Sequence, residues 1–441
     1  MEWAMTATYE VIATGDLVPS PRNARTHDRK QIRQIAASIE QFGFSNPVLI
    51  DEANVLIAGH GRLAAAQVLG LKEVPAIRIT HLSDAQKRAL RIADNRIAEK
   101  AGWNMEILAS ELADLSSMEL DFDLEVTGFE VGEIDIMIGS AGGQEGLEPE
   151  TAPLPDPDLP QVARAGDLWL LGKHRVLCGN ARNADDYATL MGDDLAHMVF
   201  ADPPYNVPIN GHVCGNGQVQ HREFVEASGE MTSVEFVSFL RQAATLSARY
   251  SQDNATSYWC IDWRHLPELH AACTGVFAKW INLCVWCKTN AGMGGLYRSQ
   301  HELICVFGKS ERGHRNNIQL GKCGRNRSNV WTYAGVNTFR PGRMEELRAH
   351  PTAKPVAMIQ DAILDVTKPG ETVLDPFLGA GATLIAAEIA RRVAYGMEID
   401  PLYVDVVLRR WREATGQEPV RALDGQTLAS LETAVSKETG Q

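Results

Sequence analysis

Residues 202-DPPY-205 put a carboxylate, two prolines and a phenol in four consecutive positions, directly after the apolar run HMVFA. Two adjacent prolines neither continue a helix nor sit inside a sheet, so this is a stiff turn after a strand. That combination suits one demanding reaction. An exocyclic amine on adenine or cytosine is a poor nucleophile, because its lone pair is delocalised into the ring. Two acceptors aimed at its two N–H groups favour the tetrahedral, nucleophilic nitrogen. The Asp202 carboxylate supplies one, and the carbonyl of Pro203, held rigid by Pro204, supplies the other. A base in a duplex must leave the stack to reach such a site, and Tyr205 offers a ring face to receive it. Positive charge develops on the nitrogen as a methyl group moves in line from a sulfonium donor, and Asp202 stabilises it. No metal is needed. The competing reading of the tetrapeptide alone is a plain turn.

A second constellation lies in 371-ETVLDPFLGAGATLIAAEIARRVAYGMEID-400. A short strand, a glycine-rich turn, an apolar helix and a second strand make one βαβ unit. Asp375, Pro376 and Phe377 open the turn, and Gly379 and Gly381 let backbone approach a ligand closely. Glu398, 23 residues after Asp375, ends the second strand, with Asp400 just beyond. An acid there can accept hydrogen bonds from both hydroxyls of a ribose. The full Gly-x-Gly-x-x-Gly pyrophosphate cradle is absent, so a nucleoside without phosphates, such as S-adenosylmethionine, suits the turn better. The alternative is a glycine turn in a purely structural βαβ unit.

These residues need elements to position them. Residues 139–162 are rich in Gly, Pro and acid and read as a linker between units at 1–138 and 163–441. In the first unit, KQIRQIAASIEQF has helical spacing and stops at Gly43; Pro47–Ile50, Asn54–Ala58 and VPAIRI read as strands. The turn Gly59-His60-Gly61-Arg62 joins a strand to a helix and is a candidate anion pocket. Residues 101–138 read as helical and acidic. Between Tyr205 and Ser233 there is no apolar period, which predicts a mobile loop that orders over DNA. Trp259 and Trp263 read as core.

The net charge of −14 excludes a protein coated in base, but not a local basic cleft. Between Lys309 and Arg343 the only acid is Glu311, while Arg315, Lys322, Arg325, Arg327, Arg340 and Arg343 are spaced by Asn, Gly and Ser. Either this is a solvated loop or it contacts phosphates. Eight scattered cysteines form no disulfide framework. Cys284 and Cys287 make one CxxC without a second ligand pair and read as buried thiols in a strand, and the spacing of His212, Cys214 and His221 fits no metal site. No apolar run reaches membrane-spanning length and no secretory signal opens the chain, so a cytoplasmic location is expected.

The order DPPY before DPFLGAGAT resembles the beta class of amino-group DNA methyltransferases (adenine-N6 or cytosine-N4), over about 163–415. The resemblance implies a Rossmann-like α/β fold: a doubly wound, mostly parallel sheet with a reversed edge hairpin. It implies S-adenosylmethionine as donor and double-stranded DNA as substrate, with the aspartate-first tetrapeptide leaning toward adenine. GDLWLLGKHRVLCGNA matches the entry segment near the donor's adenine, with Asn180 where the family has Asp. HPTAKPVAMIQDAI places Lys354 and Pro355 beside the donor's methionine part; YRSQHELICVFGK and RSNVWTY match the strand and loop after the catalytic site. Residues 8–100 resemble the smaller α+β N-terminal domain of ParB-like proteins, related to sulfiredoxin, where the turn at 59–62 contacts a nucleotide's phosphates. Here His60 and Gly61 replace a Glu and an Arg of that turn. Three other readings stay open: a cytosine-N4 enzyme, an RNA or protein-amide methyltransferase, and a ParB-like DNA-binding nucleotide switch. A homodimer and a partner restriction endonuclease are compatible with the family.

Overall fold

The computed structural model describes residues 7–118, 120–141, 155–156, 159–207, 226–289, 291, 296–318, 327–334 and 354–439. The chain forms two compact units, 1–142 and 143–441.

The first unit holds a four-stranded sheet ordered β1-β4-β2-β3, from β1 (Ala7–Ala13), β2 (Val48–Ile50), β3 (Leu56–Ala58) and β4 (Glu73–Ile79). Helix α1 (Arg29–Phe42) starts where the Asp28 side chain accepts from the Gln31 N–H, and ends at Gly43, whose φ of +76° suits glycine. Helix α2 (His60–Val68) packs beside it, and Val48, Ile50, Leu56, Leu63 and Ala66 close the core. Helix α3 (Asp84–Ala98) begins with a Ser83–Gln86 capping box. Helices α4 (Met105–Ser117) and α5 (Val131–Ala141) share a small separate core of Ala109, Leu112, Leu124, Ile134 and Met137.

The second unit is built on a ten-stranded sheet ordered β11-β9-β10-β8-β7-β12-β13-β6-β5-β14. Its strands are β5 (Leu168–Leu171), β6 (His174–Cys178), β7 (Ala196–Ala201), β8 (Ser251–Ile261), β9 (Lys279–Lys288), β10 (His301–Gly308), β11 (Val330–Tyr333), β12 (Thr372–Asp375), β13 (Val393–Glu398) and β14 (Val420–Arg421). The central run β8-β7-β12-β13-β6 is parallel throughout. The expected reversed hairpin is β9–β10, with β10 antiparallel to both neighbours. The opposite edge is also reversed, because β5 runs against β6 and β14 against β5.

The strands alternate between two cores, as the two-residue side-chain period requires. Met198 and Phe200 of β7 and Tyr258 and Cys260 of β8 face one core, packed with helices α9 (Val356–Val366), α10 (Ala382–Ile389) and α11 (Pro401–Thr415). Val199, Ala201, Trp259 and Ile261 face the other, packed with helices α6 (Ala184–Met191), α7 (Ser233–Arg249) and α8 (Leu266–Cys273). Both faces are therefore covered, which is the doubly wound α/β arrangement. Helix α12 (Leu428–Thr439) follows β14. Among the described residues no helix is long and apolar enough to cross a membrane.

Candidate active site

Successive connections leave the centre of the sheet in opposite directions: β7 leads to β8 on one side, and β12 to β13 on the other. The neighbouring strands β7 and β12 thus flank a switch point, where loops diverge at the carboxyl ends and leave a crevice. Asp202 follows the last residue of β7, Asp375 ends β12, Glu398 ends β13, and Asn180 lies two residues past β6. One cleft is lined by Asn180, Asp202, Pro203, Pro204, Tyr205, Lys354, Asp375, Pro376, Phe377, Gly379, Glu398 and Asp400, together with Phe239, Thr383 and Tyr403. The DPPY turn and the glycine turn, far apart in the sequence, thus share one cleft.

Asp202 does not stand alone. The Lys354 ammonium donates to both of its carboxylate oxygens at 2.6 Å, and the Tyr205 hydroxyl lies 2.8 Å from Oδ1. The same hydroxyl is 3.1 Å from Glu302 Oε2, which also lies 3.1 Å from Lys354 Nζ. Lys288 donates to Glu302 Oε1 from the solvent side. The result is a neutral, interlocked set of two carboxylates and two ammonium groups. Only 3% of the Lys354 side chain is exposed, against 23% for Asp202. Burial raises the Asp202 carboxyl above the usual range; Lys354 opposes this and Glu302 adds to it. Burial would raise Glu302 as well, but Lys354 and Lys288 hold it down to about 2. Lys354 is raised, because its two carboxylate neighbours outweigh desolvation. Lys354, expected beside the donor, lines the cleft that holds the glycine turn and is anchored there on Asp202. Tyr205, expected to offer a ring face, also carries the hydroxyl that orients Asp202.

In the glycine turn, Asp375 Oδ1 accepts from the Phe377 N–H at 2.9 Å, and burial pushes its carboxyl up to about 7. Glu398 accepts from Gly379 N and Asp400 N, each at 2.9 Å, and burial raises it to about 7 despite those bonds. Asp400 caps α11 by accepting from Leu402 N. Gly379 has φ +53°, and a Cβ built on it would meet nothing within 4 Å. It therefore opens a space that a side chain would fill. Gly381 is at φ +82°, and a Cβ built on it would meet Val407 at 3.1 Å, so the helix packs closely there. The Asn180 side chain accepts from Arg182 N at 2.9 Å through its oxygen, and the residue lines the cleft.

The expected basic loop looks different. Arg327 is folded inward rather than toward phosphates: its guanidinium pairs with Asp361 and, at 2.9 Å, with Asp365, and it lies over the Trp331 ring. Burial opposes its charge, but Asp365 and Asp361 more than compensate. Arg315 lies 3.5 Å from Glu371. Lys322, Arg325, Arg340 and Arg343 lie outside the described residues, as do Cys323 and 208–225 with His212, Cys214 and His221. Trp259 is fully buried, but Trp263, expected in the core, is 56% exposed because it follows β8 on the surface. Cys284 is buried and Cys287 half-buried in β9. Among the described residues no cluster of His, Cys, Asp or Glu is arranged to hold a metal ion.

In the first unit, Gly59 caps α2 in the left-handed region and His60 Nε2 accepts from Ser20 N at 3.3 Å. Burial, with Arg91 and His27, lowers His60, and burial lowers Arg62 against Asp94. A Cβ on Gly61 would meet His27 and Ile35 at 3.0 Å, so the turn is tightly packed. The open feature is a neighbouring cavity that no sequence motif marks. Arg22, Arg25, Arg88, Arg91 and Arg96 line it, with Glu99 the only acid among the described lining residues.

Three family models match the chain: a DNA methylase over residues 196–409, a ParB N-terminal domain over 4–96, and a ParB-methyltransferase helix-turn-helix domain over 106–165. The third covers α4 and α5 and the segment read as a linker, an assignment that the acidic composition concealed. Over 73 residues, or 17% of its length, the chain is 51% identical to the ParB-like nuclease domain-containing protein YnaK of Escherichia coli K12, covering 84% of it. Over 272 residues, 54% of its length, it is 26% identical to the DNA adenine methyltransferase YhdJ of the same organism, covering 86% of it. The crystal structure of an M1.HpyAVI–SAM complex aligns with TM-score 0.39 and 16% identity, over 53% of this chain and 97% of that one.

Proposed function

We propose that this chain, whose C-terminal unit belongs to the N6/N4 DNA methylase family, methylates the exocyclic amine of a flipped DNA base, adenine N6 in first place, with S-adenosylmethionine as donor. The observation that carries the reading is the single cleft in which Asp202 faces the glycine turn closed by Asp375 and Glu398. The residues fit the donor: the open space above Gly379 admits a ligand against bare backbone, and Glu398 keeps a spare lone pair on each oxygen for ribose hydroxyls. The donor supplies an activated methyl group on sulfonium. Phe377, Asp375 and Tyr403 line the rest of its pocket.

The chain's own part is to make an amide-like amine nucleophilic. A carboxylate offers about four lone-pair sites. Lys354 takes one on each Asp202 oxygen and Tyr205 takes one on Oδ1, which leaves one on Oδ2. That site accepts one amino N–H, and the Pro203 carbonyl accepts the other. As nitrogen becomes cationic, the fixed carboxylate is already in place, with no solvent reorganisation. The family model and the aspartate-first tetrapeptide support an amino-group DNA substrate, and the name of YhdJ favours adenine. The first unit, with its helix-turn-helix match and arginine cavity, is assigned to holding DNA.

The test is methyl transfer from labelled S-adenosylmethionine to mixed-sequence duplex DNA, followed by digestion to nucleosides and mass spectrometry. N6-methyladenine is expected. N4-methylcytosine would keep the mechanism and reverse the choice of base. Donor binding without any labelled base would remove DNA as substrate.

A further inference from the structure

Lys354 and Glu302 raise a question that the methyl-transfer reading leaves open. An ammonium 2.6 Å from both oxygens of Asp202 orients the carboxylate, but it also competes for the electron density that must stabilise a cationic amine. Alone, it would blunt Asp202. Glu302 stands 3.1 Å from the same ammonium and is 14% exposed at its side chain, too buried to be a surface counter-ion. It shares Tyr205 with Asp202 and is itself fixed by Lys288.

We infer that Glu302 and Lys354 are opposed positioning residues for Asp202: Lys354 fixes the carboxylate in place, and Glu302 draws that cation off it far enough to keep Asp202 an effective acceptor. The inference rests on the amine-methylation reading and adds the groups that tune its acceptor. Among the described residues, the charged or titratable groups around Asp202 come from five elements. Lys354 enters from the start of α9, Glu302 from β10, Tyr205 from the same turn, Cys260 from β8 and Asp375 from β12, with Lys288 of β9 behind Glu302. Cys260 and Tyr205 are raised and stay neutral across the working range. Lys354 is the one cation that touches Asp202 among the described residues, and Glu302 is the carboxylate that shares it.

The two residues therefore pull the Asp202 proton affinity in opposite directions, and a merely structural role cannot imitate that. The measurement is kcat against pH for the full-length chain on duplex DNA, with KM for S-adenosylmethionine recorded beside it. Activity needs ionised Asp202, and the substitutions leave Asp375 and Glu398 in place, so a displacement of the acid limb between variants reports Asp202. Glu302→Gln removes a like charge; its acid limb should move to lower pH by half a unit or more, with kcat reduced roughly tenfold. Lys354→Gln removes the opposite charge; its limb should move to higher pH, with a larger loss of kcat. Glu302→Asp should restore the wild-type limb in part. KM for the donor should stay within about twofold in the Glu302 variants. If a Glu302 variant does not fold, Lys288→Gln, nearer the surface, should move the limb slightly upward. Limbs that stay put, or that move in the same direction for Glu302→Gln and Lys354→Gln, would overturn the inference. A wild-type chain that transfers no methyl group to DNA would strike the underlying reading instead.

Discussion

The ammonium of Lys354 and the carboxylate of Asp202 meet at 2.6 Å across 152 positions of sequence, inside the cleft that also holds the glycine turn. This pair makes Asp202 a fixed acceptor rather than a mobile surface acid. Replacing it separates chemistry from binding. Asp202→Asn keeps an acceptor for Tyr205 but turns the other oxygen into a donor that repels an amine N–H; Asp202→Ala removes both. Either variant should lose about a hundred- to a thousandfold in kcat or more, the size usual for removing a charge-stabilising group. Donor affinity, read by calorimetry, should stay near wild type. The stability loss of Asp202→Ala should fall below the ~3–5 kcal/mol of a buried pair broken outright, because Glu302 still neutralises Lys354. Retained turnover would refute the role of Asp202.

The two turn glycines should respond differently to the same change. A side chain at Gly379 enters open space in the cleft, whereas one at Gly381 meets Val407 at 3.1 Å from a backbone with φ +82°. Gly379→Val should therefore weaken donor binding tenfold or more. Its melting loss should be the smaller one, about 1–2 kcal/mol from the positive φ. Gly381→Val should lower the melting temperature more. Equal effects of the two variants on donor affinity would mean that the space over Gly379 is not the donor's.

Much of the site is legible in the sequence because it is local. DPPY, the glycine turn and Glu398 each sit at the end of a strand whose apolar period shows in a few residues, and the switch-point rule collects strand ends. What joins elements distant in sequence is not legible. Glu302 reads as one acid at the start of a strand, and its tie to Tyr205 spans 97 positions. Arg327 reads as a phosphate ligand because its loop is Asn- and Ser-rich, yet its partners Asp361 and Asp365 lie on one face of α9. Trp263 reads as core because a period that alternates through β8 does not say where the strand stops. The five arginines of the first-unit cavity come from two segments more than sixty positions apart, and nothing in either one says that they meet.

Asp375 gives a pH signature. Burial raises its carboxyl to about 7, so the folded chain holds the proton more tightly than the unfolded chain does. The stability this confers is complete below the ordinary carboxylate range and is lost as pH rises through about 7. Asp375→Asn keeps an acceptor for the Phe377 N–H and removes the buried charge. Its melting temperature should lie closest to wild type near pH 4, and the gap should widen through pH 5–7 to several degrees at pH 8, on the order of 4 kcal/mol. A gap that does not change with pH would show that Asp375 ionises normally.

The last prediction concerns the first unit. Arg22, Arg25, Arg88, Arg91 and Arg96 face one cavity, and Glu99, which pairs with Arg25 and Arg96, is the only acid among its described lining residues. Such a field attracts phosphate even in a chain of net charge −14, because the Debye length of about 8 Å makes local charge decide. If the cavity holds DNA backbone, Arg22→Glu with Arg88→Glu should weaken duplex binding by the full-length chain about equally for every sequence. It should also reduce the slope of log affinity against log salt by roughly 2, about one for each phosphate no longer neutralised. Removing residues 1–142 should do at least as much, once the remainder is shown to melt cooperatively. Undiminished DNA affinity and an unchanged salt slope in both proteins would take the first unit out of DNA holding. The arginine cavity would then be left to a small phosphate-bearing ligand, whose binding should displace no DNA.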